Sequence, residues 1–352
     1  MPNWNESMQQ TFEYYTVNPD TWKDDKQIKN IKSSNIVRDS TLETLGSASI
    51  DITESIGECY IRKYLVTNQN GVTEKHPLDV FLVQTPSSSF DGKIRNVTMD
   101  AYTPLIELKE KQPPIGYFVA KGENIMQVAY RLVRENVRAP VVETKCDITL
   151  SYDFVANVND TWLSYLTDLI KNAKYTFMLD EMGRILFSPI QDTASLQPVW
   201  TYDDGNNSIL LPELTVDHDL YNIPNVVEVI YSNGSDSFNH TVTNDDPNSP
   251  ISTVNRGRII KRRVTDPSIV GNATDEQVKE YAERLLRDLS TIEYTASYTH
   301  GYCPVRVGDC VRLNYTRSGW TDIKAKVISQ NIKCRPGCQV SEKAVFTVKL
   351  WR

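Results

Sequence analysis

The stretch 159–189 constrains the fold more than any other part of this chain, because it encodes a helix followed directly by a hairpin. Five apolar residues share one helical stripe: Trp162, Leu163, Leu166, Leu169 and Ile170. Three residues are candidates to cap the first turn: Asn159, Asp160 or Thr161. Strands are predicted at 175–179 and 184–187, with Gly183 supplying a positive φ in the turn and Pro189 ending the second strand. The stretch therefore predicts a packing module, and it contains no catalytic group.

Strand patterns dominate most of the remaining chain, which at 352 residues is long enough for two or three domains. The first set of predicted strands is 47–53, 60–66, 78–85 and 96–102. Asn70-Gly71 is a hairpin-turn signal within this set, and Pro86 is expected to close its third strand. The second set is 214–219, 225–231, 294–298, 309–315, 325–333 and 344–350. The first set indicates an antiparallel barrel or sandwich.

Two further helices are predicted. One spans 123–137, where apolar residues share a face and Gly122 is the candidate N-cap. The other spans 274–289 and begins with a capping box, Thr274-Asp275-Glu276-Gln277. Between them, the segment 232–253 is rich in Ser, Asn, Asp and Pro, which favours a long exposed loop.

Two regions differ from the strand sets in their pattern of polar and apolar residues. Residues 1–35 are polar with scattered aromatics and no sustained period, so we expect an extended arm that packs on a neighbour. Residues 115–195 combine the helix at 123–137 with the opening module, which predicts an α/β unit between the two β-rich regions.

The charge balance bears on the partners of this chain. The sequence has 45 acidic and 38 basic residues, a net charge of −7, which argues against a protein whose main task is to grip nucleic acid. A basic cluster at 256–263 can contact phosphate, but a solvated strand pair or a subunit salt bridge explains it more simply. The sequence shows no apolar run long enough to span a bilayer and no signal-peptide pattern, so we expect synthesis and folding in a cytoplasm.

The cysteines are the one constellation with metal-ligand character. Four of the six lie in the last fifty residues: Cys303, Cys310, Cys334 and Cys338. Two thiols across the tight turn 334–338, completed by the other two, would form a structural zinc site without an open catalytic position. The simpler interpretation is that they are core and hairpin residues, reduced in the cytoplasm or oxidised after release. Cys59 and Cys146 are interpreted as small buried hydrophobes.

Enzymatic alternatives rest on little in this sequence. The four histidines do not form a zinc-protease spacing, and the nucleophile-elbow, Walker and dinucleotide motifs are missing. One alternative is a thiol enzyme using Cys303 beside His300, which would need a sharp bend at Gly301. Another is a peptidoglycan hydrolase built around paired acids, and a third is a receptor-binding or adhesin module.

Three passages, taken in order, resemble a known family. They are the module from Asp160 to Phe187, the phrase Tyr221-Asn222-Ile223-Pro224-Asn225-Val226-Val227-Glu228-Val229, and the tail from His300 to Leu313. This order resembles the central baseplate hub of phage tails, including contractile-tailed phages and the defective prophage tails of Gram-positive bacteria. The family is related to the spike base of type VI secretion. The resemblance covers roughly residues 36 to 352.

The resemblance implies a homotrimer without catalytic residues or cofactor. Each subunit would contribute two related tail-tube-like β-barrels, so that six barrels form a ring joining the sixfold tail tube to the threefold central spike. The implied partners are the tail tube or distal tail protein, the spike, the tape measure protein and other baseplate proteins. The implied place is the baseplate of a virion tail, assembled in the host bacterial cytoplasm. Neither membrane binding nor sequence-specific nucleic-acid binding is expected, although DNA or the tape measure would pass through the ring.

Combined with the resemblance, the pattern predicts an α+β, β-dominated chain with four parts. They are an arm at 1–35, a first barrel at 36–114 completed by strands from 196–231, an inserted α/β domain at 115–195, and a second barrel at 196–352 with helix 274–289. The sequence ends directly after the last predicted strand, so we expect any cell-wall lysin to be a separate protein.

Overall fold

A computed structural model describes residues 2–92, 94–232, 236–265, 267 and 273–351. Strands account for 46% of it and helices for 15%, which confirms the predicted β-dominated α+β class. Large antiparallel sheets form the framework, and a closed barrel is not found in the part of the chain described here. The strands are β1 (Gln9–Val17), β2 (Asp24–Ile28), β3 (Ile31–Asp39), β4 (Gly46–Ile52), β5 (Cys59–Gln69), β6 (Val72–Asp91), β7 (Ile94–Tyr102), β8 (Phe118–Val119), β9 (Val141–Val142), β10 (Phe154–Val155), β11 (Tyr175–Leu179), β12 (Ile185–Pro189), β13 (Trp200–Asp203), β14 (Leu210–His218), β15 (Val226–Ser232), β16 (Ser237–Thr243), β17 (Lys261–Val264), β18 (Thr291–Gly301), β19 (Cys310–Asn314), β20 (Ile323–Lys333) and β21 (Gln339–Lys349).

The α-helices are α1 (Ile106–Lys109), α2 (Ile125–Asn136), α3 (Trp162–Lys171), α4 (Thr253–Arg256) and α5 (Asp275–Leu289). The chain divides into two compact units. Unit 1 comprises Met1–Leu214 and Tyr298–Ala344, and unit 2 comprises Thr215–Ser297 and Val345–Arg352.

Unit 1 is built on one large sheet. Its strands lie in the order β20-β3-β4-β7-β6-β5-β1-β2, with β19 also paired to β20 and β13 paired parallel to β19. The longest hairpin, β5 and β6, turns at Asn70 and Gly71 with φ angles of 53° and 79°. Positive φ at both turn residues is what a tight hairpin with right-handed strand twist requires, so the predicted Asn-Gly turn is confirmed.

The N-terminal segment, predicted as an extended arm, forms two strands of the unit 1 sheet. β1 pairs antiparallel with β5 from Gln9↔Asn68 to Val17↔Tyr60, and β2 extends the same sheet. Trp22 is buried against the Tyr60 ring, with centroids 4.9 Å apart. The periodicity was hidden because β1 is only partly buried, so polar and apolar residues mix on both of its faces.

Pro86 was expected to close a strand, but β6 continues through it to Asp91. The β6/β7 register shifts between Val83 and Thr85, just before the proline. Proline lacks the N–H that a regular ladder needs, and such irregularities are where a sheet tolerates it.

The module at 159–189 forms the predicted helix and hairpin. Thr161, one of the three candidate caps, makes a capping box with Ser164, and α3 buries its apolar stripe. β11 and β12 pair from Tyr175↔Pro189 to Leu179↔Ile185, and Gly183 has a φ of 73°, so the predicted turn and the end at Pro189 are confirmed. α2 packs beside α3, and its cap is Asn124 rather than Gly122, because the Asn124 side chain accepts the Gln127 N–H.

Unit 2 contains a three-stranded sheet in the order β16-β15-β17, covered by α5. α5 begins at the predicted capping box of Thr274 and Gln277 and buries Val278, Ala282 and Leu286. The segment 232–253, predicted as one long loop, contains β16 and ends at the first residue of α4, which corrects that prediction within its described part. Its residues 233–235 lie outside the described residues. In the described portion of the chain, no helix is long and apolar enough to cross a membrane.

Candidate functional site

The interior of unit 1 holds an unusual number of charged and polar side chains. We call the set Arg38, Asp79, Tyr202, Tyr298, His300, Cys303, Arg306, Gln330 and Glu342 the buried polar cluster. Strands β3, β6, β13, β18, β20 and β21 supply most of its members, and the loop between β18 and β19 supplies the rest. Isolated charges in a protein interior are costly, so a cluster of this kind depends on complete pairing.

Asp79 is held between two guanidinium groups. Arg38 donates from Nε to Asp79 Oδ2 at 2.7 Å, and Arg306 donates from Nη2 to Asp79 Oδ1 at 2.8 Å. Both arginines also donate to the carbonyl oxygen of Leu78, at 2.8 and 3.1 Å. The arrangement leaves one more positive than negative charge at this point of the interior.

Gln330 connects this group to a second one around Glu342. It accepts from Arg38 Nη1 at 2.9 Å and donates from Nε2 to Glu342 Oε2 at 2.6 Å. Glu342 also accepts from the Tyr298 hydroxyl at 2.6 Å and lies 3.4 Å from His300 Nε2. The carboxylate is thus surrounded by donors, which compensates its loss of water.

The pKa values of the second group follow from this pairing. Burial alone disfavours the His300 imidazolium, but hydrogen bonds to Cys303 and Glu342 and the Glu342 charge raise the pKa of His300 to about 10. Burial, reinforced by the Glu342 charge, raises the pKa of Tyr298 and of Tyr202 well above the usual value. The group therefore holds a buried imidazolium and carboxylate pair with neutral phenols.

The geometry around Cys303 does not suit a thiol enzyme. The sulfur lies 4.0 Å from His300 Nδ1, but that nitrogen donates to the Gly301 carbonyl at 2.7 Å and is not free to take a proton. Cys303 and His300 are only 2% and 1% exposed, so a substrate cannot reach the sulfur. Cys303 and His300 lie close together, as the thiol-enzyme alternative required. The sulfur is buried, however, and the nearby ring nitrogen is already a hydrogen-bond donor.

The other three candidate zinc ligands are buried as free thiols. Burial raises the pKa of Cys310, Cys334 and Cys338, which keeps them protonated. Cys334 and Cys338 flank the turn between β20 and β21, whereas Cys303 contacts Tyr202 in the buried polar cluster. Across the described residues, no three His, Cys, Asp or Glu side chains are grouped so as to hold a metal ion.

A cavity of about 280 Å³ lies beside the Arg38, Asp79 and Arg306 part of the cluster. Most of its wall is apolar, and the lining includes Leu45, Phe81 and residues 176–179 of β11. It combines an apolar wall with a few converging charged groups, which is the usual character of a ligand pocket.

Sequence reasoning missed the charged members of the cluster. One signal was available. Glu342 lies between Val340 and Ala344 on the buried face of an alternating strand, and Arg38 follows Ile36 by two residues on the buried face of another. A charge at such a position indicates a buried pair, but not its partner, because Arg38 and Arg306 meet Asp79 from distant parts of the sequence.

Comparison with solved structures identifies the fold. The tail protein from Neisseria meningitidis MC58 matches over 96% of both chains at 14% identity, with a TM-score of 0.60. The 43 kDa tail protein of prophage MuSo2 from Shewanella oneidensis matches over 97% of this chain and 98% of its own, at 12% identity and a TM-score of 0.62. A chain of the Francisella PdpA-VgrG complex matches 97% of this chain but only 53% of its own length, at 9% identity and a TM-score of 0.55.

The structural neighbours are therefore phage tail proteins and a VgrG complex, which confirms the fold resemblance predicted from the three sequence passages. A scan against protein-family models gives no match, and neither does a comparison with curated proteins. At these identities the likeness shows the fold.

Proposed function

We propose that this protein is the structural hub of a phage or phage-like tail baseplate, of the kind found in contractile tails. In this role it forms a homotrimeric ring that joins the sixfold tail tube to the threefold central spike, and DNA or the tape measure passes through it. The observation that carries the proposal is the fold likeness to two tail proteins, one of them from a prophage, over nearly the full length of each chain.

The proposal includes the domain plan. Each subunit contributes a first barrel from 36–114, completed by strands from 196–231, and a second barrel from 196–352, with the α/β domain of 115–195 inserted between them. The abundance of antiparallel strands in both regions supports this plan. Six barrels from three subunits would match the sixfold symmetry of a tube while keeping the threefold symmetry of a spike.

The proposed partners are a tail tube or distal tail protein, the spike, the tape measure protein and other baseplate proteins, and the proposed location is the virion tail after assembly in the host cytoplasm. A structural rather than catalytic role is supported by the closed environment of Cys303 and His300. The structural neighbours are tail components as well.

Native mass spectrometry tests the ring, with the tail tube protein from the same genome added in a second sample. We expect a species of three times the 40.1 kDa protomer mass, and threefold class averages by electron microscopy. A protein that stays monomeric in both samples and is missing from purified tails would overturn the proposal.

Two further assays separate the alternatives. Clearing of a cell-wall zymogram that disappears in Cys303→Ala would indicate a thiol hydrolase. Binding of the isolated monomer to host cells would indicate a receptor-binding module. A hub gives neither result.

A further inference from the structure

The cavity beside Arg306 has no part in the proposed ring. We propose that it captures the C-terminal residue of a partner protein chain, with an apolar side chain in the cavity and the terminal carboxylate on Arg306 and Arg38. This inference goes beyond the proposed ring, and its test measures binding rather than subunit number, so either can fail without the other.

The size of the cavity fits one residue. An apolar cavity of roughly 150 Å³ holds a benzene molecule. The cavity here is about 280 Å³. The difference leaves space for a carboxylate and one peptide unit beyond an apolar side chain of that size.

The charge of the lining favours an anion. Arg38, Arg306 and Lys326 line the cavity together with a single acid, Asp79. Glu181 and Asp309 act on Arg306 from outside the lining, so the excess of positive charge belongs to the lining itself. In a chain with a net charge of −7 this is a local reversal of sign, and a guanidinium pair is well suited to bind a carboxylate.

The backbone of β11 favours a peptide over a free small molecule. β11 is the edge of its three-stranded sheet, and its residues 176–179 all line the cavity. Successive side chains of a strand point to opposite faces, so four lining residues in a row mean that the strand presents its edge to the cavity.

The register shows which backbone groups are presented. Asp180 donates its N–H to the Arg184 carbonyl, and Ile190 donates to the Lys174 carbonyl, so the even-numbered residues of this strand bond toward β12. Phe177 and Leu179 therefore direct their backbone groups to the free edge. The Leu179 carbonyl accepts from Arg306 Nη2 there, at 3.2 Å.

An extended segment running parallel to β11 would meet the backbone of Phe177 and end beside Arg306. Strand addition at a sheet edge supplies main-chain hydrogen bonds, and a pocket for a side chain supplies selectivity. The carboxylate then takes the guanidinium N–H groups that Asp79, Gln330 and the carbonyls of Leu78 and Leu179 leave free.

The test uses the full-length protein and a short model peptide, acetyl-Gly-Gly-Leu, with its C-terminal amide as the uncharged match. Binding is measured by calorimetry and by the NMR shift of the Met178 methyl group, which lines the cavity. We expect the acid to bind and to shift Met178, and the amide to bind at least about tenfold more weakly, because it lacks the charge-assisted hydrogen bonds. Equal binding of acid and amide would remove the carboxylate from the proposal.

A matched pair of variants locates the site. Ile190 lines the cavity and is 54% exposed, whereas Ile115 is 92% exposed and does not line it. Ile190→Glu places a competing carboxylate at the rim and should weaken peptide binding at least about tenfold, while Ile115→Glu should leave it unchanged. Equal effects of the two folded variants, or no peptide binding by the wild type, would overturn the proposal. Octanoate that binds where the peptide does not would instead identify a site for free small carboxylates.

Discussion

At the scale of single residues, the charge on His300 links the buried polar cluster to pH. In the unfolded chain a histidine has a pKa of about 6.5, and Glu342 together with the hydrogen bonds of the folded state raises the pKa of His300 to about 10. A raised folded-state pKa stabilises the fold fully below the unfolded pKa, and that stabilisation is lost as pH rises through the folded pKa. The window for this residue is therefore about pH 6.5 to 10.

We expect the stability difference between wild type and His300→Gln to shrink by at least about 1 kcal/mol from pH 6 to pH 10, the equivalent of about one pKa unit. Urea unfolding at pH 6, 8 and 10 measures it. Lys63 acts in the opposite direction, because burial lowers its pKa to about 8, but it is common to both proteins and cancels in the difference. A difference that is constant with pH would show that His300 is neutral in the folded protein.

A second residue-scale prediction concerns Gly183 in the β11/β12 turn. An added Cβ there would lie 2.6 Å from Val80 Cβ, and the residue has a φ of 73°. Gly71 has a similar φ of 79° but open space around it. Gly183→Ala should therefore destabilise by about 3 kcal/mol, against about 1 kcal/mol for Gly71→Ala, since only the first adds overpacking to backbone strain. Similar unfolding free energies for the two variants would contradict a close approach of this turn to β6.

At the scale of elements, α5 depends on its first turn. Thr274 Oγ1 accepts the Gln277 N–H, and the Gln277 side chain accepts the Thr274 N–H in return. Thr274→Ala should lower the stability of unit 2 by about 1 kcal/mol, while Thr274→Ser should keep most of it, because serine retains the accepting oxygen. Hydrogen exchange of the α5 amides measures this directly. Unchanged exchange in the alanine variant would mean that packing alone fixes the helix start.

The same elements show what the sequence could reveal. α3, α5 and the hairpin of β11 and β12 were predictable because each carries its own local signals: an apolar stripe, a capping box or a positive-φ glycine. β1 was not, because its pairing with β5 is set by a partner more than forty residues away and its burial is uneven. The cavity and the Arg38, Asp79 and Arg306 contacts were also hidden, since they exist only once distant strands meet.

At the scale of the whole molecule, the charge distribution bears on how nucleic acid would meet this protein. The basic cluster at 256–263 is largely occupied within unit 2. Arg263 and Lys261 pair with Glu228, with nitrogen to oxygen distances of 2.6 and 3.7 Å, and Arg256 donates to the Ile223 carbonyl at 2.9 Å. These side chains support the fold of their own unit, and the chain as a whole has seven more acidic than basic residues.

Binding to DNA depends on lysine and arginine side chains that neutralise phosphates and release counterions. With much of its basic cluster already paired, the protein should bind a 30-base-pair duplex more weakly than about 10⁻⁴ M at 150 mM salt, the weak limit of ordinary non-specific binders. Fluorescence anisotropy at 50 and 150 mM salt measures this. Glu228→Gln is the informative control, because it releases Arg263 and Lys261 and should strengthen binding and steepen its salt dependence. Tight, strongly salt-dependent binding by the wild type would contradict the passage of DNA through the ring without binding to it. It would instead indicate a DNA-binding surface.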